Sequence, residues 1–521
     1  MPPIATEAPS APSSGLSGSM GPAAASRLRR WGPALWLALL SVLYLAPTCV
    51  RAAREKLWFD EIFAFDAATL LPSLGTLWSY LKQGIEGTPP LGFALAAGSE
   101  SVFGRNEFGL RFPSVIAFGT MAVCLYLFLR RRLPWPFAIA GMLLAALSAA
   151  GRYSYEARPY ALVLALAGIA LVAWQAAAEG RRRRVALVAI AVALAAALCS
   201  HPMAVALALP FLAGEIARTM ERKRVDWPVW GAFAAAAPAI LVLWRLKNAR
   251  DFTAIYRFSG SVGEHIAVTY LQMLKPAIPA LGLAFFLLLA LRMPGSGMAK
   301  RAPGMRTYEL AALAGFALIP FAAVPISTLS GHYYLRYSLN CTIGLAGLLA
   351  VLLCSLGGTS RLCGVAVMAV FGVSFAIGQF LPENRRPDAG LKFVNSSAEI
   401  QPFLERMPSD APIAICWDLT FVELEHYASP RLAARLYYLT DPAAAAAIDG
   451  DVAFDIKGPL LARFFPFRAH FEDYHSFIAA HKRFYVVRPA RNVLREYLAG
   501  RLSLERRETA EHFEYYEARA Q

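Results

Sequence analysis

Charge is scarce in this 521-residue sequence: Asp, Glu, Lys and Arg make up 17%, against 57% hydrophobic residues. With a mean hydropathy of +0.45, the apolar surface exceeds what one water-soluble core could bury, so a lipid bilayer must be the main solvent. Acidic residues are the rarer sign, 36 against 51 Lys and Arg, leaving a net charge of +15. That excess does not point to nucleic acid, because the Arg clusters flank apolar runs, where they act as topology signals. Paired cysteines are missing too. Of seven, Cys49, Cys124, Cys199, Cys341, Cys354 and Cys363 lie in or beside apolar runs and Cys416 stands alone in polar sequence, which speaks against a disulfide framework or a zinc-binding spacing. No internal repeat of about 20–50 residues recurs, and the two halves lack the inverted symmetry that transporters carry.

What is present is a series of apolar runs of membrane-crossing length. Residues 1–30, rich in Ala, Ser, Pro and Gly and ending on Arg27, Arg29 and Arg30, read as a disordered cytoplasmic tail. The run Trp31–Val50 is expected to remain as a first span. Further spans are expected at about 110–129, 135–151, 159–178, 185–200, 202–219, 228–246, 272–292, 308–328, 335–355 and 361–380, about eleven in all. Lys and Arg collect on every second connection, at 27–30, 130–132, 181–184, 218–224, 292–306 and 361, which predicts that these face the cytoplasm. The opposite side then receives the large first loop, 51–109, and residues 381–521, whose mixed composition predicts a soluble α/β extracytoplasmic domain. The predicted fold class is therefore a polytopic α-helical membrane protein carrying a C-terminal soluble α/β domain, with 31–380 as its membrane domain.

The first loop opens Leu57-Trp58-Phe59-Asp60-Glu61, two adjacent carboxylates at the membrane surface. Desolvation raises a carboxylate's proton affinity, which suits one of them to take a proton from an acceptor hydroxyl. A loop of 59 residues is too long for a simple connector and is expected to be ordered and functional. Glu107 and Arg111 stand i,i+4 where the second span begins and could pair. A second cluster, Arg152-Tyr153-Ser154-Tyr155-Glu156-Ala157-Arg158-Pro159-Tyr160, sets cations on the side that disfavours them. Those cations require a partner: Glu156, or an anionic ligand gripped by guanidinium. Later turns on the same side add His201, then His332, Tyr333, Tyr334 and Arg336. Arg158 and Arg336 together could hold a phosphate.

In order as well as content these residues resemble the GT-C superfamily of membrane glycosyltransferases, in particular the protein mannosyltransferase and aminoarabinose transferase group. Asp60-Glu61 follows the first span, Pro89-Pro90-Leu91 lies later in that loop, Arg111-Phe112-Pro113-Ser114 opens the next span, and Glu156-Ala157-Arg158-Pro159-Tyr160 follows the third. The resemblance covers residues 31–380. It implies transfer of a sugar, with inversion, from a polyprenyl-phosphate donor to a hydroxyl of a lipid, polysaccharide or protein acceptor on the extracytoplasmic side of a cell membrane, expected to be a bacterial inner membrane. Asp60 would be the general base with Glu61 beside it, and Tyr155, Glu156, Arg158, His332 and Arg336 would bind substrate. No cofactor is certain. A divalent metal is conceivable because some superfamily members use one, and Asp60 and Glu61 would then be its ligands. Some relatives carry a basic residue just before the Pro-Pro-Leu stretch, where this chain has Thr88. Two other classes stay open: a transporter or flippase of an anionic lipid-linked substrate, and a non-catalytic membrane scaffold.

Overall fold

The computed structural model describes residues 22–247, 260–291, 304–328, 333–358, 360–381, 397–407, 411–415, 417–448, 452–489, 502–509 and 513–520. The tail up to residue 21, the 292–303 part of one cationic loop, His332 and Cys416 lie outside them.

Each of the eleven expected apolar segments contains helix. Among the described residues eight helices are long and apolar enough to cross a membrane, or nine if the bent pair Trp135–Leu147 and Ala149–Tyr155 is one span. Arg183–Leu198 and Cys341–Leu356, at 16 residues each, are shorter. The bundle begins with α1 (Pro22–Arg54), after which the chain folds into three short helices, α2 (Phe59–Ala68), α3 (Leu74–Lys82) and α4 (Leu91–Phe103). These make the first loop ordered. It returns to the membrane through α5 (Glu107–Arg130), then α6 (Trp135–Leu147) and α7 (Tyr160–Ala178).

α5 and α7 pack closely because Gly168 exposes backbone at their crossing. A Cβ added there would lie 2.9 Å from the Cys124 Cβ. Between α6 and α7 the chain turns through 73° into a buried 3₁₀ segment, Ala149–Tyr155. Ser148 starts that segment by accepting the Ala150 N–H at 3.2 Å. Gly151 is required inside it, since a Cβ would meet the Ala146 carbonyl oxygen at 2.1 Å. This turn delivers residues 152–158 to the end of the bundle where α2 begins.

Six strands of the C-terminal region form a mixed sheet in the order β3-β2-β1-β4-β6-β5, where β1 is Ile413–Ile415, β2 Leu436–Thr440, β3 His470–Asp473, β4 Arg483–Pro489, β5 Leu502–Thr509 and β6 Phe513–Ala520. β1 pairs parallel with β2 and β4, β2 pairs parallel with β3, and β6 pairs antiparallel with β4 and β5. One face of this sheet and its helices shares a single apolar core with the first loop: Leu57, Ile62, Leu77, Tyr80 and Phe93 are buried with Ile413, Phe421, Phe454 and Leu461. Tyr427 ties the seam, accepting the Leu57 N–H at 2.7 Å and donating to Glu107 at 3.0 Å. The C-terminal sheet thus sits on the same side of the bundle as the first loop.

Candidate active site

The site is assembled from three turns that are distant in sequence. Trp58 is the extended N-cap of α2, and its N–H is bonded by Glu61 at 3.4 Å, which leaves Asp60 in the first helical turn. Arg158 ends the turn that precedes α7. Arg336 lies in a short 3₁₀ segment, Leu335–Ser338, just before Cys341–Leu356.

These elements bring Asp60, Arg158 and Arg336 together. Asp60 Oδ2 stands 3.4 Å from Arg336 Nη2 and 3.7 Å from Arg158 Nε. All three side chains are largely buried, at 17%, 14% and 9% exposure for Asp60, Arg336 and Arg158. Oδ2 of Asp60 and Nε of each arginine nevertheless have no hydrogen-bond partner among the described residues. Buried polar atoms without partners are costly, so a cluster that keeps three of them is a candidate for binding something that is not protein.

Arg158 is fixed from behind. Its Nη1 and Nη2 donate to Glu86 at 3.0 and 3.3 Å, and Nη1 also reaches the Asp60 carbonyl at 3.3 Å. Burial alone would raise the proton affinity of Glu86. The charge and hydrogen bonds of Arg158, with the Thr88 hydroxyl donating at 2.7 Å, outweigh it and hold the carboxyl below its usual range. Thr88, which stands where some relatives carry a basic residue, therefore serves Glu86. Arg336 lies over the Tyr334 ring at 4.2 Å and the Trp58 ring at 5.8 Å, which supports its guanidinium without neutralising it.

The other expected site residues take other partners. The Glu61 carboxylate is wholly buried, bonded by Arg111 Nε at 2.8 Å and by Arg111 Nη2, and it accepts the Ala157 N–H at 2.7 Å. Arg111 completes its donors on the carbonyls of Ala52, Glu55 and Lys56, so it clamps α1, α2 and α5 together. The expected Glu107 and Arg111 pair does not form: Arg111 takes Glu61, and Glu107 takes the Tyr427 hydroxyl. Arg158 likewise takes Glu86 and Asp60 as its partners in place of Glu156. Glu156 is buried beside Tyr153 and Tyr160. Tyr155 packs against Ala52 and Val115. His332 is outside the described residues.

The donor set does not suit a hard cation held by Asp60 and Glu61. Two guanidiniums already lie within 4 Å of Asp60, both Glu61 oxygens are occupied by Arg111, and no third ligand of the His, Cys, Asp or Glu type joins them among the described residues.

A cavity opens beside each of the two arginines that face Asp60. The one beside Arg158 is mostly apolar, walled by Phe93, Leu95, Ala96, Leu110, Pro113 and Leu162, with Thr88 and Arg158 at its polar end. The one beside Arg336 is smaller and is lined by Tyr160, His201, Tyr337 and Asn340 among others.

Comparison with known proteins bears on the fold. Residues 87–244 match the family described as dolichyl-phosphate-mannose-protein mannosyltransferase. ArnT from Cupriavidus metallidurans in the apo state superposes with a TM-score of 0.54 at 15% identity, over 93% of this chain and 98% of that one. The same protein bound to undecaprenyl phosphate gives 0.56 at 14% identity, over 94% and 98%. The chain has an ArnT-like fold. No curated protein matches the chain in sequence. In this chain that fold consists of the membrane bundle, an ordered first loop and a C-terminal sheet. Glu86, which packs against Arg158, is a site residue that sequence reading passed over. Its only signal is an isolated acid two residues ahead of Thr88-Pro89-Pro90.

Proposed function

We propose that this chain is an inverting glycosyltransferase that moves a sugar from a polyprenyl-phosphate donor to an acceptor hydroxyl on the extracytoplasmic side of a bacterial cell membrane. The observation that carries the reading is Asp60 Oδ2, buried between two arginines and lacking a hydrogen-bond partner among the described residues. In the reaction Asp60 accepts the proton of the acceptor hydroxyl as its oxygen bonds to the anomeric carbon. The bond from that carbon to the phosphate oxygen breaks on the opposite face, and the carrier phosphate leaves with the electron pair. Arg158 and Arg336 stabilise the charge that develops on it, acting in a site where water is largely excluded. Glu61 and Glu86 act through other groups: Glu61 fixes α2 and the 157 turn, and Glu86 fixes Arg158. The apolar cavity beside Arg158 suits the first units of a lipid carrier, and undecaprenyl phosphate is bound by the ArnT structure of similar fold.

The reading is tested by following label from radiolabelled polyprenyl-phosphate sugars in membranes containing the protein. Release of the sugar to an acceptor, dependent on the protein, supports it. Translocation of intact donor without cleavage would instead favour a lipid transporter.

A further inference from the structure

The end of the bundle opposite Asp60 carries charge that the reaction does not use. α7 starts two residues after Arg158 and runs for 19 residues, so the turn that follows it lies about 28 Å away across the membrane. That turn leads into α8 (Arg183–Leu198), and a second turn at the same end joins α9 (Ala208–Arg222) to α10 (Trp227–Ala234). The first turn holds the four arginines at 181–184 and the second holds Arg222, Lys223 and Arg224. All but the half-buried Arg183 are exposed.

Asp226 draws the two turns together. Buried just ahead of α10, it is bonded by Arg183 from the first turn through one carboxylate oxygen, and by Arg218 at 2.8 Å and Arg222 at 3.4 Å through the other. An aspartate in this position ordinarily caps its own helix, but the Asp226 side chain makes no capping bond and gives both oxygens to arginines. Of the other acids nearby, Glu215 is bonded by Arg218 at 2.7 Å, Glu179 by Arg132 at 2.6 Å, and Glu221 is exposed. Arg182, Arg184, Lys223 and Arg224 make no ion pair among the described residues. Arg182 and Lys223 have φ values of 41° and 52°, the two positive values at non-glycine positions among the described residues. Glycine fills such positions with least strain, so each turn keeps a cation where a side chain is disfavoured.

A topology signal requires only that cations lie on one side of the membrane. Here two turns from distant parts of the chain are joined through one buried carboxylate, with their remaining cations left exposed side by side. The surface that continues from them is apolar. Val185, Val188 and Val192 are exposed along one face of α8, and Arg184 precedes Val188 by one helical turn. Trp227, the first residue of α10, is exposed next to Asp226, and an indole favours the headgroup level of a bilayer. Guanidiniums grip phosphate oxygens in pairs, and a row of lipid-facing valines takes a hydrocarbon chain.

We infer that the corner formed by the 181–184 and 222–224 turns binds an anionic phospholipid of the leaflet at that end of the bundle, its phosphate among the arginines and an acyl chain along Val185, Val188 and Val192. The inference holds whatever reaction the other end performs. Purified full-length protein, stripped of lipid in a nonionic detergent, is titrated with phosphatidylglycerol, with zwitterionic phosphatidylcholine of the same chains and with soluble glycerol 3-phosphate, each at low and high salt. Phosphatidylglycerol is expected to bind at least about tenfold more tightly than phosphatidylcholine, with the advantage shrinking at high salt. Arg184→Gln combined with Arg224→Gln, one exposed cation from each turn, should lower that affinity by about tenfold or more, while the corresponding lysine replacements keep most of it. Arg361→Gln removes an exposed cation from the same end, outside the corner, and should change the affinity by less than about twofold. The inference is overturned if phosphatidylglycerol binds no more tightly than phosphatidylcholine, if glycerol 3-phosphate binds as tightly as the lipid, or if Arg361→Gln weakens binding as much as the double variant.

Discussion

Arg158 divides its guanidinium between two carboxylates, giving Nη1 and Nη2 to Glu86 at 3.0 and 3.3 Å while Nε lies 3.7 Å from Asp60 Oδ2 without a hydrogen bond. Glu86 thus holds the Nη end of Arg158. Glu86→Gln is therefore expected to misplace the guanidinium and to lower kcat/KM by about 10²-fold, the scale of a displacement of about 1 Å in a positioned group. Steady-state kinetics with a polyprenyl-phosphate donor checks this. An unchanged kcat/KM would show that Arg158 does not depend on Glu86.

The pair of Arg111 and Glu61 has no exposed surface on either side chain and joins α1, α2 and α5. Removing one partner strands a buried charge, so Arg111→Met should destabilise the protein by about 3–5 kcal/mol. The double variant Glu61→Gln with Arg111→Met should cost less than the two single changes added together. Thermal unfolding in detergent of the four proteins reads the cycle.

Asp66 lies on α2 near the seam with the C-terminal sheet. Burial first, then the nearby Glu425 and Glu100, push its carboxyl up to about 7 against the pull of Arg105. The folded chain then keeps a proton that the unfolded chain gives up near its ordinary pKa of about 3.9. This contribution to stability is fully present below about pH 4 and is lost as pH rises through about 7. Asp66→Asn should flatten the fall in melting temperature between pH 5 and 8. A wild-type slope that persists in the variant would assign it to other groups.

Because Phe421, Phe454 and Leu461 share a core with Leu57, Ile62 and Leu77, deleting residues 382–521 would uncover the apolar face of the loop that carries Asp60. Transfer activity is expected to disappear in the truncated protein even where it still inserts in membranes. Retained activity with the same acceptor would show that the loop holds its shape alone.

How legible this molecule is from its sequence depends on the range of the forces. The apolar segments are visible because hydropathy is local, and each of the eleven contains helix. Arg111 shows where local rules stop. The i,i+4 spacing offers Glu107, but α2 brings the Glu61 carboxylate from 50 residues away into a fully buried contact, and Glu107 is drawn to Tyr427, 320 residues distant. Once Arg111 is buried, a fully buried partner outweighs a nearer, half-buried one. Glu86 was invisible for a related reason: nothing around it repeats or alternates, and its role comes entirely from the turn that places Arg158 beside it. The sharing of one core between the first loop and the C-terminal sheet is a matter of docking, which composition does not encode.

The most direct test of the central claim is single-turnover transfer from a radiolabelled polyprenyl-phosphate sugar by the wild type, Asp60→Asn and Asp60→Glu, with donor binding measured on the same preparations. The account predicts that Asp60→Asn binds donor and loses transfer by about 10²–10⁴-fold, the scale of a general base, while Asp60→Glu keeps part of it. Transfer by Asp60→Asn at the wild-type rate would contradict it.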